Sequence, residues 1–148
     1  LAAFSPVFRS RSPGAGDSDF LVHLARMSDI HAALKPYHET VAAEGQSLGL
    51  PDIRHPYLHY EAEEELHRRD WQYLYGRDLL VAPSLAAGAE LTEVYLPADD
   101  WVHLWSSRNF HGGLVTVDSP LGFPAVFYRS SSPFAALFDS IRRTARRL

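Results

Sequence analysis

Residues 72–83, with the sequence QYLYGRDLLVAP, constrain the fold of this chain more than any other run. They combine an aromatic stretch, a turn glycine, an Arg-Asp pair and a continuous apolar segment at 79–82 that Pro83 closes. A short apolar run bounded by turn residues predicts a buried strand. The spacing of apolar residues also changes here, from helical periodicity in residues 1–70 to β-type runs afterwards. We therefore predict that two structural units meet at this run.

The first seventy residues predict a helix that is interrupted once. Apolar side chains recur at helical spacing between Phe20 and Leu34. Pro36 is expected to end or kink this helix, because proline has no amide hydrogen. The helical pattern continues to Leu48, and Gly49 is expected to stop it.

The part of the chain after Gly88 predicts a small antiparallel sandwich or meander, because short β-type runs recur there at regular spacing. The runs are 91–96, 101–105, 114–117 and 125–129. Turn-forming residues at 97–100, 106–107, 112–113 and 120–122 are expected to separate them. Apolar side chains between Phe134 and Ile141 predict a terminal helix.

Composition excludes several function classes. The net charge of −4 gives no general attraction to nucleic acid or to an anionic membrane. The basic run at 141–148 is short and is interpreted as a solvated helix face. No apolar run approaches the roughly 20 residues that a membrane span needs. The chain has no cysteine, which excludes thiolate zinc sites and favours a reducing compartment, so we expect a cytoplasmic protein.

Two groups of residues could carry a binding site or could be structural. His55 and His59 would share one face of a strand, but no third ligand has suitable spacing, so we expect no metal. No glycine-rich phosphate loop is present, and we expect no cofactor. The second group could form a sugar-stacking platform or the core of the sandwich, and we favour the core. Its members are Trp101, Trp105, Phe110, Phe127 and Tyr128, with Tyr95 beside them.

Several segments, taken in chain order, resemble the C-terminal part of glycoside hydrolase family 31, the α-glucosidase family. They are residues 1–9, 33–37, 53–60, 72–83, 94–97, 101–105, 112–113 and 124–129. Details at 24–27, 101–105, 124–129 and 135–138 are most similar to the sulfoquinovosidase branch. The co-linear order of these segments, more than any one of them, carries the resemblance.

The resemblance implies a fold of class α/β plus all-β. Residues 1–70 would be the last strands and helices of a (β/α)8 TIM barrel. Residues 71–132 would be a small antiparallel β-sandwich domain, and 133–148 a terminal helix or tail. The parent protein would be a retaining α-glycosidase that acts on a carbohydrate, an α-glycoside that could be sulfonated. We expect no nucleic-acid or membrane partner.

The resemblance also implies that this chain holds no catalytic residue. Both catalytic aspartates of the family lie upstream of the segment that matches Leu1, and two strands cannot close a barrel. The chain begins at Leu1 and not at Met, so we expect a fragment that is inactive alone. The alternative is a free-standing, non-catalytic sugar-binding or interaction module derived from such an enzyme.

The candidate substrate-binding residues are Arg9 and Arg11. The family has an Arg-x-His motif at this place, and its histidine contacts the sugar, whereas this chain reads Arg9-Ser10-Arg11. An arginine keeps donor capacity but is always charged and cannot accept a hydrogen bond. Arg11 could therefore bind an anionic group of the sugar, or it could be an ordinary loop cation.

Overall fold

A six-stranded antiparallel sheet forms the centre of the computed structural model, which describes residues 2–10 and 18–145. The order of strands across the sheet is β1-β2-β3-β6-β4-β5. The strands are β1 Ile53–Arg54, β2 Tyr73–Tyr75, β3 Leu79–Ala82, β4 Leu91–His103, β5 Asn109–Asp118 and β6 Ala125–Arg129. The predicted junction run thus supplies a tight hairpin, β2–β3, near the middle of the sheet.

The helices lie where the sequence predicts them. They are α1 Ser18–Ala33, α2 Lys35–Leu48 and α3 Ala135–Ala145. Leu34 separates α1 from α2, and Pro36 occupies the first turn of α2, where a missing amide hydrogen costs no hydrogen bond. Gly49 ends α2 with a left-handed φ of 70°, and its amide bonds to the carbonyl of Gly45. The interrupted helix and the terminal helix are both confirmed.

The sheet separates two hydrophobic cores, one on each face. Alternate residues of β3 enter different cores: Leu79 and Val81 face the helices, whereas Leu80 and Ala82 face the other side. Side chains of α1, α2 and α3 fill the first core. Both faces of β3 are therefore buried from solvent, which explains why its sequence is continuously apolar instead of alternating.

The second core is covered by the sheet itself, because the long β4–β5 hairpin bends back over it. Val94, Leu96 and Val117 from the hairpin pack against Leu80 and Phe127. The antiparallel β-rich unit is thus confirmed, but it is one bent sheet and not two separate sheets. The predicted turns at 97–100 and 112–113 are wrong, since β4 and β5 run through both positions.

Those two turn signals lie opposite each other at the corner where the hairpin bends. The pairing of β4 with β5 shifts between Leu96 and Asp100, as it does at a β-bulge. A Cβ on Gly112 would lie 2.8 Å from the Cα of Ala98, so the backbones approach too closely for a side chain. The indole N–H of Trp101 donates to the carbonyl of Pro97 at 2.9 Å and closes the corner.

The assignment of residues 1–70 to the end of a barrel stays a prediction. Ala2–Phe4 forms a turn of 3-10 helix, and β1 is antiparallel to its only sheet neighbour in the described part of the chain, β2. The division at 71–132 and 133–148 also stays a prediction. Within the first core, α3 packs against α1 and β6.

The turn between β2 and β3 closes over the side chain of Tyr37 on α2. The Tyr37 hydroxyl donates to the carbonyl oxygen of Tyr75 at 2.6 Å and accepts from the amide of Asp78 at 3.0 Å. Gly76 lies between them with φ of +61°, and a Cβ there would be 2.5 Å from the Tyr37 hydroxyl oxygen. The turn therefore requires glycine both for its backbone angle and for this contact.

We expect Gly76→Ala to destabilise the protein by about 2 kcal/mol more than Gly88→Ala, because of the added clash. Gly88 is the matched control, since its φ is +74° but nothing lies within 4 Å of its Cβ position. Its replacement should cost about 1 kcal/mol, the penalty of a left-handed alanine. Urea unfolding followed by circular dichroism measures both. Equal losses for the two glycine variants would contradict the assigned contact.

Candidate functional site

The segment that carries Arg9 is anchored at its start by three contacts. The ring of Phe4 meets Trp105 edge-on, with centroids 6.2 Å apart. The hydroxyl of Tyr73 donates to the carbonyl of Phe4 at 3.2 Å, and burial raises the pKa of Tyr73 to about 12, so this donor stays protonated. His31 bonds through Nδ1 to the carbonyl of Ala3 at 3.3 Å. Ala3 and Phe4 are fully buried as a result.

A series of rings in tilted contact supports the same segment at Phe8. Phe8 lies on His31 with ring centroids 5.5 Å apart, and His31 lies on His38 at 4.4 Å. His38 in turn packs on Tyr75 at 5.5 Å. The ladder connects the N-terminal segment through α1 and α2 to the β2–β3 hairpin. We name these four residues, Phe8, His31, His38 and Tyr75, the ring ladder.

Hydrogen bonds fix the protonation of His38 within the ring ladder. Nε2 of His38 faces the carbonyl oxygen of His31 at 3.0 Å, which can only accept, so this nitrogen carries the proton. Nδ1 then accepts from the hydroxyl of Tyr75 at 2.6 Å. Burial, opposed by the bond to the His31 carbonyl, lowers the pKa of His38 below 6.5. The ladder is therefore held by a neutral imidazole.

Of the two predicted substrate-binding residues, the structure places only Arg9. Arg9 is solvent-exposed and follows Phe8, the outermost ring of the ladder. Arg11 lies outside the described residues. The sequence pattern did not predict the ring ladder that supports Arg9. His31 and His38 are seven residues apart, and this helical spacing was the available signal, but the break at Leu34 hid it.

The residues weighed as a metal or sugar site have structural roles. His55 accepts from the amide of Tyr57 at 3.2 Å, and His59 bonds to Arg54 at 3.0 Å. Trp101 is fully buried and Trp105 is 9% exposed, so the sugar-stacking platform is wrong and the core interpretation is confirmed. Within the described part of the chain, no three acidic or histidine side chains come close enough to hold a metal ion. No described helix is long and apolar enough to cross a membrane.

Arg54 is buried, and each of its three side-chain nitrogens has a protein partner. Its Nε donates to the carbonyl of Pro51 at 2.6 Å, Nη1 donates to Nε2 of His59 at 3.0 Å, and Nη2 donates to Glu44 at 2.5 Å. Burial, and next the charge of Arg54, lower the pKa of His59. This cluster joins α2 to β1 and has no free donor directed at solvent.

The acidic side chains of Glu63 and Asp99 also have structural roles. Glu63 accepts from the hydroxyl of Tyr95 at 3.0 Å and from the amide of Ala98 at 2.8 Å, which braces the hairpin corner. Asp99 accepts from Nε of Arg129 at 2.7 Å. These contacts connect the hairpin corner to the turn after Tyr60 and to β6. Glu63 and Asp99 line the same open depression at the hairpin corner, but both carboxylates are engaged by these hydrogen bonds.

Comparison with known proteins places this architecture among glycosidases. The model of the glycosyl hydrolase family 31 C-terminal domain matches residues 49–132, more than half of the chain. The chain is 42% identical to a sulfoquinovosidase of Escherichia coli strain K12 and 43% identical to one of Agrobacterium fabrum strain C58. Each match covers 96% of this chain but only 22% and 23% of the relatives.

Solved structures agree with the sequence matches. A family 31 sulfoquinovosidase from E. rectale, in complex with an aza-sugar inhibitor, superimposes with a TM-score of 0.89 at 37% identity. The match covers 96% of this chain and 22% of that chain. The structure of a second protein, a mutant in complex with isomaltose, superimposes with a TM-score of 0.83 at 28% identity. This match covers 92% of this chain and 22% of that chain. These two relatives bind a sugar or a sugar-like inhibitor, and each is several times longer than this chain.

The lowered pKa of His38 predicts loss of stability in acid. The unfolded histidine titrates at 6.5 and the folded one below it, so the unfolded chain takes up the proton first. The stability that neutral His38 provides is complete above pH 6.5 and is lost as the pH falls below it.

The variant His38→Gln tests this effect, because the amide can replace both hydrogen bonds but cannot titrate. Its urea midpoint should fall less than that of the wild type between about pH 7.5 and about pH 5.5. His67→Gln is the matched control, since His67 is exposed to solvent. A pH dependence identical in His38→Gln and the wild type would show that His38 does not contribute.

Proposed function

Because the chain belongs to glycosyl hydrolase family 31 and is related to sulfoquinovosidases, we propose that it is the C-terminal part of a retaining α-glycosidase. The substrate would be an α-glycoside of a glucose that carries a sulfonate at C6. The similarity to two sulfoquinovosidases over 96% of the chain carries this proposal.

The catalytic carboxylates would come from the remainder of the polypeptide. Retaining glycosidases need two carboxyl groups about 5 Å apart on opposite sides of the glycosidic bond. The acidic residues described above brace loops and pair with arginines instead. Since the chain spans 22% of the E. coli relative, we infer that the other part of the enzyme supplies the nucleophile and the general acid.

The chain itself would provide the end of the barrel and a supporting β-domain. Apolar side chains remain exposed on α1, at Leu21 and Val22, on the edge strand β1, at Ile53, and beside it, at Leu58. Each of these is between 45% and 51% exposed. A preceding barrel strand packed along β1 and further helices against α1 would cover this surface. The exposed edge of β1 offers the backbone groups for such pairing.

Arg9 and Arg11 would contact an anionic group of the substrate. The ring ladder fixes the backbone position of Phe8, the residue before Arg9. The Arg9 side chain is exposed to solvent and can therefore reach a ligand from a defined backbone position. A guanidinium presents paired N–H donors that match the oxygens of a sulfonate. Recognition of the sulfonate is therefore the role proposed for this segment.

A fusion enzyme tests the proposed activity. The first part of the E. coli sulfoquinovosidase, without its matching C-terminal segment, is fused to this chain. We expect the fusion to hydrolyse 4-nitrophenyl α-sulfoquinovoside, and we expect neither part to do so alone. A fusion that is folded by circular dichroism and monodisperse by gel filtration, yet has no activity, would overturn the proposal.

The role of Arg9 can be measured in the same fusion. We expect Arg9→Ala to raise KM for the sulfonated substrate by about three- to tenfold, the loss of one charged hydrogen bond partly exposed to water. The KM for the matching α-glucoside should not change. Arg68→Ala, which removes an exposed arginine elsewhere, is the control. A KM that rises equally for both substrates would exclude sulfonate recognition by Arg9.

A further inference from the structure

A cavity of about 310 Å³ lies at the end of the sheet, away from the ring ladder. Its walls come from β4, the β4–β5 turn, β5, the loop before β6, and α3. The residues that line it with polar or charged groups are His103, Ser106, Arg108, Asp118 and Arg142. The volume is at the lower end of the range for small-molecule sites in proteins.

His103 lines this cavity, and one of its ring nitrogens has no hydrogen-bond partner in the described chain. The side chain is 4% exposed, and its Nδ1 bonds to the hydroxyl of Ser106 at 2.9 Å. Its Nε2 is fully buried and has no hydrogen-bond partner among the described residues. Burial lowers the pKa of His103 to about 4, so the ring is neutral at pH 7. A buried polar atom without a partner is destabilising.

The charge around the cavity is positive. Arg108 is exposed at its rim, and Arg142 reaches it from α3. Arg142 donates from Nη2 to Asp139 at 3.2 Å, but its buried Nε has no partner among the described residues. Asp118 is the one acidic residue in the lining. Asp139, which pairs with Arg142, also pairs with Arg143, so arginines still outnumber carboxylates around the cavity, which favours an anionic ligand.

The remaining wall is apolar and rigid. Trp105 and Phe123 meet edge-on, with centroids 5.3 Å apart and ring planes at 88°. The indole N–H of Trp105 donates to the carbonyl of Pro124 at 2.6 Å, so the ring orientation is fixed. Val117 and Pro120 complete this side. Such a wall suits the less polar face of a ring.

We propose that this cavity binds a small organic anion with hydroxyl groups, such as a sugar acid that carries a carboxylate or a sulfonate. The acidic group would pair with Arg108 and with the guanidinium of Arg142. A hydroxyl of the ligand would meet the hydroxyl of Ser106, which is exposed in the cavity wall. The ring would lie against Trp105 and Phe123. The proposal does not depend on the proposed glycosidase activity, because every contact lies within this chain.

Nuclear magnetic resonance titration of the 148-residue chain tests the site. The probes are glucuronate, sulfoquinovose and, as the neutral match, glucose. We expect the two anions to shift the indole N–H signal of Trp105 and the amide signals of Ser106 and Arg108, with saturation in the millimolar range. Glucose should bind about tenfold more weakly or less, because it lacks the group that the arginines recognise.

Variants test whether the arginine at the rim of the cavity binds the anion. Arg108→Ala should weaken binding of both anions by about tenfold, the effect of one charged hydrogen bond, and its exposed position leaves folding intact. Arg68→Ala, which removes an exposed arginine elsewhere, should leave the affinity unchanged. Binding of one anion alone would identify its acidic group as the one recognised. The proposal is overturned if neither anion gives saturable shifts, if glucose binds equally well, or if Arg108→Ala has no effect.

Discussion

The fold depends on the hydroxyl group of Tyr37. This one oxygen bonds to both sides of the turn between β2 and β3, and the glycine in the turn leaves room for it. Burial raises the pKa of Tyr37 well above its ordinary value, so the group stays a donor. The ring also meets Phe134 and Phe138 edge-on, at 5.3 and 5.0 Å. A single side chain of α2 thereby fixes the position of the central hairpin and of the approach to α3.

Local sequence was sufficient where one physical cause determines the structure. The apolar run of β3 could be interpreted as a buried strand because both of its faces are dry. The break before Pro36 and the stop at Gly49 follow from a missing amide hydrogen and a left-handed backbone. The hairpin corner could not be identified in the same way. Turn-forming residues occur at a bulged bend as well as in a loop, and only the pairing of Leu96 with Gly113 distinguishes the two.

The candidate site was harder to predict, because its supports come from distant parts of the chain. The sequence identified Arg9 through the resemblance of the surrounding segment, but the ring ladder joins Phe8 to residues as far away as Tyr75. The cavity at His103 was not predicted at all. His103 was included in a β-type run, and its unpaired nitrogen becomes visible only once β4, β5 and α3 are packed together. Charged residues likewise took structural roles, as at Arg54, that spacing alone does not reveal.

The two cores of the sheet have a consequence for how accurately the chain must pair its strands. Adjacent residues of β3 and β6 belong to different cores, so a shift of one residue would send every side chain of a strand into the wrong core. In a sheet with one solvent-exposed face, such a shift disrupts packing on the buried face alone. Here it would disrupt packing against the helices on one face and against the bent hairpin on the other. Misaligned pairings during folding are therefore unfavourable on both faces of the sheet, which favours a single register.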